Sequence, residues 1–173
     1  MIALDAFDVR PPTLADVPVI AETVYQGFES YRTFLPAGWD PPPEQFERSR
    51  IAERLQYADT WCRVAHTATE PAGHVAFMAA RDQTEPRALI PGLAHLWMLF
   101  IREPWWGSGL ARRLHALAVA EATARRYERM RLVTPGAHRR ARAFYEREGW
   151  TTDGVTTYEP LLALELVEYR RRL

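Results

Sequence analysis

Residues 96–126 read LWMLFIREPWWGSGLARRLHALAVAEATARR. The apolar run at residues 96–101 is typical of a buried strand. Gly107 and Gly109 follow it, after a proline and two tryptophans. Behind them, the apolar residues recur at helical spacing, at Leu110, Leu114, Leu117 and Ala118. The sequence therefore predicts a strand, a glycine turn and a helix in that order.

The glycine turn has the features of an anion site. Glycines allow a tight turn and carry no Cβ that would keep a ligand away from the backbone. The first amides of the helix have no partner inside it and lie at the positive end of its dipole, which suits a phosphate or pyrophosphate. A plain tight connection between strand and helix gives the same pattern. No Gly-Lys-Ser/Thr closes the turn, which disfavours a phosphate-loop NTPase, and the G-x-G-x-A spacing and chain length disfavour a dinucleotide-binding fold.

Composition predicts a single globular domain over residues 1–173. The chain is 47% hydrophobic and 25% charged with a formal net charge of +0, so bulk charge does not favour a nucleic-acid partner. The lone Cys62 excludes an internal disulfide and gives no metal cluster, and we expect no metal site. We expect a cytoplasmic protein without a membrane partner, because MIALDAFDVR lacks a signal-peptide pattern and no apolar run has the length of a membrane span.

The periodicities along the chain predict a mixed sheet with helices on both faces, in the order β-α-α-β-β-β-α-β-α-β-β. The capping box that starts at Thr13 precedes the first helix, and the second helix presents Phe46, Ile51 and Leu55 inward. A hairpin is expected from residues 60–67 and 74–81, a loop at 82–92 and a central strand at 93–102. The last strand, residues 161–170, alternates between leucines on one face and Glu165, Val167 and Tyr169 on the other.

A second motif lies near the C-terminus. It reads His138-x-x-Ala141-x-x-Phe144-Tyr145-x-x-x-Gly149-Trp150, a short helix with Gly149 as its left-handed cap. Together with the glycine turn and the order of elements, it resembles the GCN5-related N-acetyltransferase (GNAT) superfamily over nearly the whole chain. The resemblance implies a single-domain α/β (α+β) fold with a twisted, mostly antiparallel sheet of about six to seven strands.

The resemblance also implies acetyl-CoA as cofactor, with CoA as product. The pyrophosphate would be held by the turn and first helical residues, namely Gly107, Ser108, Gly109, Leu110, Ala111 and Arg112. The exposed backbone at Leu99, Phe100 and Ile101 would pair with the pantetheine arm, and an amide near Phe100 would polarise the thioester carbonyl.

Further residues are carried over from the same motifs. Ala141 and Phe144 would complete the cofactor site, and Tyr145 would act as general acid. Two positions depart from the family pattern: Trp106 stands where Gln or Arg is usual, and His138 where Asn is usual. Trp106 would cover the adenine side or simply pack, and His138 would contact the cofactor or cap its helix.

A general base is suggested by His95. It is expected to share a strand face with Trp97 and Leu99, where an imidazole can take a proton from an ammonium. The pattern favours a hydrogen-bonded histidine at a strand end over a base, and water can carry the proton away. His115, on the helix after the glycine turn, is expected to be solvated.

The expected reaction is direct acetyl transfer to a primary amine of a small molecule, amino acid or peptide. The neutral composition does not point to a strongly charged acceptor. The aromatic residues Tyr31, Phe34, Trp39 and Trp97 suggest apolar or aromatic bulk in the acceptor, although the first three could instead pack their Pro-rich loop onto the core. A non-catalytic acyl-CoA-binding module, a protein N-terminal acetyltransferase and a homodimer stay open as alternatives.

Overall fold

The computed structural model describes residues 6–82 and 88–173. Regular elements within these ranges are four helices and seven strands: β1 Asp8–Arg10, α1 Val17–Glu29, α2 Glu44–Arg54, β2 Trp61–His66, β3 Pro71–Arg81, β4 Leu89–Ile101, α3 Leu110–Ala124, β5 Arg129–Pro135, α4 Arg139–Arg147, β6 Thr156–Glu159 and β7 Leu164–Arg172. None of the helices in these ranges is long and apolar enough to cross a membrane.

The strands form one sheet in the order β1-β2-β3-β4-β5-β7-β6. All neighbours are antiparallel except β4 and β5, which are parallel. The crossover between these two strands is α3, as parallel strands require. The expected mixed, mostly antiparallel sheet of six to seven strands is confirmed.

Helices cover both faces of the sheet, also as expected. The side chains of α3 and α4 pack on one face around Leu110, Leu114 and Tyr145. The other face carries α1 and α2, with Ile20 and Ile51 fully buried against it. The sheet is therefore the middle layer of three, and both of its faces lie in core.

The start of α1 is held by one buried carboxylate. Asp16 accepts a hydrogen bond of 2.6 Å from the backbone amide of Thr13 and bonds of 2.7 and 2.9 Å from the guanidinium of Arg10. The Arg10 guanidinium holds the pKa of Asp16 far below its usual range, with the Thr13 amide helping. The capping box is confirmed, and it also ties β1 to the first helix.

Strand boundaries differ from the expected ones at the two turns that flank β3. The strand β3 begins at Pro71, so the hairpin turn shifts to residues 67–70. The strand β4 begins at Leu89 and includes Pro91 and Gly92, which were expected in a loop. The β3–β4 register shifts beside this segment, and Gly92 has φ +68, since an irregular strand end tolerates both residue types. The rest of that expected loop, residues 83–87, lies outside the described residues.

The inward face of α2 is rotated from the expected one. Ile51 is buried, but Phe46 is 43% exposed, and Glu47 is fully buried instead, paired with Arg50 at 2.6 Å. The helix ends at Arg54, so Leu55, which was expected on its inward face, is the residue that follows it.

Two expectations for the C-terminal part of the chain, the alternation of β7 and the cap of α4, agree with the structure. The alternation of β7 is confirmed, since Leu164 packs on the α1 face while Val167 and Tyr169 pack on the α3 face. Gly149 has φ +83 and caps α4 as expected.

Candidate active site

A cleft opens in the sheet where its two parallel strands separate. β4 and β5 pair only at residues 93–95 and 129–131. Beyond this point β4 stays with β3 as far as Ile101, whereas β5 stays with β7 as far as Pro135. The cleft between them has a volume of about 2010 Å³ and is reached from both faces of the sheet. A bound molecule there contacts the strand edge of β4 and side chains from both helical layers.

A bulge in β4 decides which groups face the cleft. The β3–β4 register shifts between Ala76 and Phe77, and both Trp97 and Met98 consequently pack toward the α1 face. Past the bulge, alternation resumes, with Leu99 on the α3 face. The expectation that His95 shares a face with Trp97 and Leu99 is therefore wrong for Leu99, because the extra residue reverses the alternation.

After the bulge, the backbone N–H and C=O groups of Leu99 and Ile101 in β4 face the cleft. The amide of Arg102 donates to the carbonyl of Ala72 in β3. By alternation along an antiparallel ladder, the backbone groups of Phe100 also face β3, while those of Leu99 and Ile101 face away from it, into the cleft. The ring of Phe100 lies on the α1 side, 5.9 Å from the ring of Phe28.

The glycine turn closes the end of β4. Gly107 has φ +80 and Gly109 has φ +89, a left-handed conformation that an L side chain rarely adopts. The Ser108 hydroxyl donates to the carbonyl of Trp105 and accepts from the amide of Leu110. The turn is thus braced by its own side chain and does not need a ligand to hold its shape.

Four backbone amides at this turn are unpaired within the described residues. In the described part of the chain, no hydrogen-bond acceptor meets the amides of Gly107, Gly109, Ala111 and Arg112, all of which line the cleft. Ser108 and Leu110 do not line it, and the Leu110 side chain is fully buried. A Cβ on Gly107 would meet nothing within 4 Å, so the space in front of that amide is open.

Trp106 has a defined role beside the turn. Its indole N–H donates to the carbonyl of Ile101 at 2.7 Å, and the guanidinium of Arg140 lies 4.1 Å from the centre of its ring. Arg112 and two further arginines of α4, Arg139 and Arg147, also line this mouth of the cleft. The mouth is therefore basic around the unpaired amides, a feature that our interpretation of the motif missed although HRRAR signals it.

The wall opposite β4 is built from α4. His138 caps this helix: its Nδ1 accepts from the amide of Ala141 at 3.5 Å, and its ring lies 5.3 Å from Tyr31 and 4.9 Å from Phe34. Burial, and then Arg140, lowers the pKa of His138. A neutral imidazole is what the capping bond requires, since Nδ1 must be unprotonated to accept it.

Tyr145 lies deeper on the same wall. It packs against Phe144, Trp150 and Tyr169 at ring distances of 5.3, 5.9 and 6.2 Å, and it lines the cleft while only 9% exposed. Burial raises the pKa of Tyr145, so its hydroxyl holds its proton at pH 7. Tyr31, in the short 3-10 helix that follows α1, lines the same cleft, and burial raises the pKa of its hydroxyl.

His95 lies on the other side of the bulge, toward α2. Burial, together with the charge of Arg131, lowers the pKa of His95 to about 3. It is neutral at pH 7 but a much weaker proton acceptor than an ordinary imidazole. The expectation that His115 is solvated is wrong, since its side chain is buried. Its ring nitrogen Nε2 accepts a hydrogen bond of 2.8 Å from the Trp150 indole, which satisfies that nitrogen away from water.

The four aromatic residues expected at the acceptor site divide into two groups. Tyr31, Phe34 and Trp97 line the cleft on its α1 side. Trp39 does not line it: its indole donates to the carbonyl of Leu162 and its ring is buried in the core. Tyr31 and Trp39 pack the Pro-rich loop onto the core, and Tyr31 and Phe34 of the same loop also line the cleft.

Comparison with known proteins agrees with this architecture. Residues 24–150 match the family model described as Acetyltransferase (GNAT) family. No curated protein sequence matches the chain.

Among solved structures, an acetyltransferase from Thermus thermophilus is 21% identical with a TM-score of 0.68, covering 99% of this chain and 100% of its own. A GCN5-related N-acetyltransferase from Kribbella flavida is 17% identical with a TM-score of 0.70, covering 98% and 99%. The PaiA N-acetyltransferase from Thermoplasma acidophilum, solved in complex with coenzyme A, is 12% identical with a TM-score of 0.67, covering 96% and 99%. The sequence match over most of the chain and the shared fold show that this chain belongs to the GNAT family of acetyltransferases.

Proposed function

We propose that this chain transfers the acetyl group of acetyl-CoA directly to a primary amine of a small molecule, amino acid or peptide. One observation carries the proposal. The open backbone edge of β4 at Leu99 and Ile101 runs directly into the unpaired amides at the start of α3. A ligand with a peptide-like arm and a pyrophosphate matches both features at once.

The residues present fit such a cofactor. The amides of Gly107, Gly109, Ala111 and Arg112 would hold the pyrophosphate, since they are unpaired within the described residues and lie at the positive end of α3. The open space at Gly107 leaves room for phosphate oxygens. Trp106 and Arg140 form a flat, basic surface beside them, which suits the nucleotide end.

The pantetheine arm would pair with the edge of β4 as an added strand. Leu99 offers both its amide and its carbonyl. Ile101 offers mainly its amide, because its carbonyl already accepts from Trp106. The amide placed to polarise a carbonyl in the cleft is accordingly that of Leu99, since the amide of Phe100 is directed at β3.

The chemistry needs a proton donor for the leaving group. When bound, acetyl-CoA supplies a thioester carbonyl and a thiolate leaving group. Tyr145 keeps its proton at Oη throughout the neutral range, so we assign it the role of general acid toward sulfur. His95 binds a proton too weakly to compete for that of an ammonium, so we assign the removal of the amine's proton to water.

Thermal unfolding with acetyl-CoA, CoA or ATP tests the cofactor. A ligand at a hundred times its Kd adds about 2.7 kcal/mol, which is about 5–11 °C in Tm for a chain of this size. A shift of this order with both CoA species, and none with ATP, supports the proposal. No shift with either CoA species refutes it.

Replacing Tyr145 by Phe tests catalysis. Turnover, measured as thiol release, should fall by about 100-fold or more, while the Tm shift with CoA stays. The control is Tyr25→Phe, on the part of α1 that does not line the cleft, and it should leave turnover unchanged. A wild-type chain that binds CoA but transfers nothing to any amine would instead be a binding module. Turnover with free small amines argues against an enzyme restricted to protein termini.

A further inference from the structure

Four arginines line the end of the cleft that lies beyond the β4 bulge, on the α2 side. They are Arg50 and Arg54 of α2, Arg81 of β3 and Arg131 of β5. Three elements far apart in sequence thus place their cations around Trp97 and His95. We name this group of four arginines the arginine end of the cleft.

Two of the four cations have carboxylate partners. Arg50 pairs with Glu47 at 2.6 Å, and Arg81 pairs with Asp59 at 3.1 Å. Of the other carboxylates that line the cleft, Asp82 accepts from the backbone amide of Ala88, and Glu168 of β7 pairs with Arg170.

The other two cations have none. Arg54 lies with its guanidinium 4.9 Å above the Trp97 ring, and Arg131 donates to the carbonyl of Arg81 at 2.6 Å. Neither forms an ion pair with a residue that the structure describes. Local charge here is therefore positive, although the whole chain is neutral.

Arg54 and Arg131 are partly buried, which makes the missing counter-charge costly. Removing a cation from water is unfavourable unless an anion or several hydrogen bonds replace the lost hydration. Burial, and then the neighbouring Arg50, lowers the pKa of Arg54, which is the direction expected for a cation held without a partner.

Unpaired polar atoms occur in the same region. The indole N–H of Trp97 and the Nε–H of Arg50 are buried donors, Oε1 of Glu47 is a buried acceptor, and Nδ1 of His95 is a buried ring nitrogen. The described residues supply none of these atoms with a hydrogen-bond partner. Buried polar groups in proteins are nearly always paired, so the unpaired N–H groups of Trp97 and Arg50, two residues that line the cleft, favour a ligand that accepts hydrogen bonds.

We propose that the arginine end binds an anionic group, a carboxylate or a phosphate ester, carried by the amine that accepts the acetyl group. This inference rests on the proposed function. Arg54 is the main contact, with Arg131 on the other side and the Trp97 indole as a further donor. The planar guanidinium of Arg54, which lies over the Trp97 ring, would offer its N–H groups to two oxygens of the anion. The amine would then lie toward the β4 bulge and Tyr145, and Trp97, Tyr31 and Phe34 would contact the apolar part between the two ends.

Matched pairs of amines test the proposal. One arm compares L-phenylalanine and L-leucine with their methyl esters, and the other compares O-phosphoethanolamine with ethanolamine. In at least one arm, kcat/KM for the anionic amine should exceed that of its neutral partner by about 10- to 100-fold, the size of one charge-assisted contact. The arm that shows the preference tells carboxylate from phosphate.

Variants of Arg54 assign the preference to this residue. Arg54→Met should raise KM for the anionic amine by about 10- to 100-fold, change kcat little and leave the neutral partner within about twofold. Arg54→Lys, which keeps the charge but not the fork, should recover part of the loss. The control is Arg48→Met, an exposed α2 position paired with Glu44 and outside the cleft, which should change nothing. Equal kcat/KM within every pair, or an equal loss for both members in Arg54→Met, overturns the proposal.

A binding measurement separates this inference from the proposed function. Each anionic amine should raise the Tm of the protein, with CoA present or absent, more than its neutral partner does, and Arg54→Met should abolish the difference. That result without any acetyl transfer would refute the transferase proposal and support the anion site. Acetyl transfer without any preference for the anionic amines would support the transferase proposal and refute the anion site.

Discussion

Replacing Gly107 by Ala should separate the cofactor role of the glycine turn from its structural role. Gly107 has φ +80 and open space where a Cβ would go. Gly154, in the loop before β6, has the same φ of +80 and the same open space, and it does not line the cleft. The two substitutions therefore impose the same backbone strain and differ only in their surroundings.

The expected magnitudes follow from this matched geometry. An L side chain in the left-handed region costs about 1–2 kcal/mol, which is about 2–8 °C in Tm for a chain of this size. Both variants should show that loss without ligand. In Gly107→Ala alone, the new methyl group should obstruct one charge-assisted contact between phosphate oxygens and the turn amides. CoA affinity should then fall by about 10- to 150-fold.

Calorimetric titration of CoA into the two variants and the wild type measures the difference. Gly154→Ala should bind CoA as the wild type does. If Gly107→Ala binds equally well, or if both variants lose affinity together, the pyrophosphate does not sit at this turn and the glycines serve only to make the connection.

Three further outcomes are expected. Burial lowers the pKa of His74 and of His95 to about 3, with a nearby arginine adding to it. Both are therefore neutral in the fold but protonate near pH 6.5 when unfolded. The free energy of unfolding, measured with urea, should accordingly fall by about 2 kcal/mol per histidine when the pH is lowered from 7.5 to 5.0. A free energy of unfolding that does not change over this pH range would contradict the burial of the two histidines. Asp16→Asn should cost about 2–3 kcal/mol at pH 7. Because the pKa of Asp16 is lowered in the fold, its contribution is complete above about pH 4 and declines below it, so the gap to the wild type should narrow in acid denaturation. Trp106→Phe removes the N–H that donates to Ile101 but keeps an aromatic ring, so its Kd for CoA should stay within about threefold of the wild-type value. Trp106→Ala, which removes the ring as well, should weaken CoA binding further. Equal Kd values for the two variants would show that the ring does not contribute to binding.

The sequence predicts best the features that depend on neighbouring residues. The glycine turn and the start of α3 follow from two glycines ahead of a helical apolar period, and the cap of α4 follows from Gly149. The order of elements and the mixed sheet come from the same local patterns. These features need no knowledge of which distant segments meet.

The β4 bulge is beyond such reasoning for a physical reason. Residues 96–101 are apolar on both faces, because helices cover both sides of the sheet, so the sequence contains no alternation that an inserted residue could disturb. The bulge nevertheless sets which face Leu99 takes relative to His95 and Trp97, and which amides the cleft receives. The rotation of α2, which buries Glu47 and exposes Phe46, is likewise set by packing against the sheet rather than by its own periodicity.

The arginine end of the cleft was missed because it is a tertiary feature. Arg54 and Arg131 are separated by nearly half of the chain and come to the same cleft only in the folded protein, and the neutral total charge conceals their local excess. An expectation built on total charge alone pointed away from a charged acceptor, whereas the local arrangement points toward one.

The two ends of the cleft differ in the groups that form them: backbone groups at the proposed cofactor end and side chains at the arginine end. This difference affects which of the two ends a substitution can change. The proposed cofactor end relies on backbone amides, on the edge of β4 and on a turn that two glycines permit, so many side chains are compatible with it. The arginine end is made of side chains contributed by α2, β3 and β5, each of which can change without altering the sheet. We therefore expect acceptor preference to be encoded at positions such as Arg54, Arg131 and Trp97, and a substitution there to change which amine is used while leaving CoA binding intact.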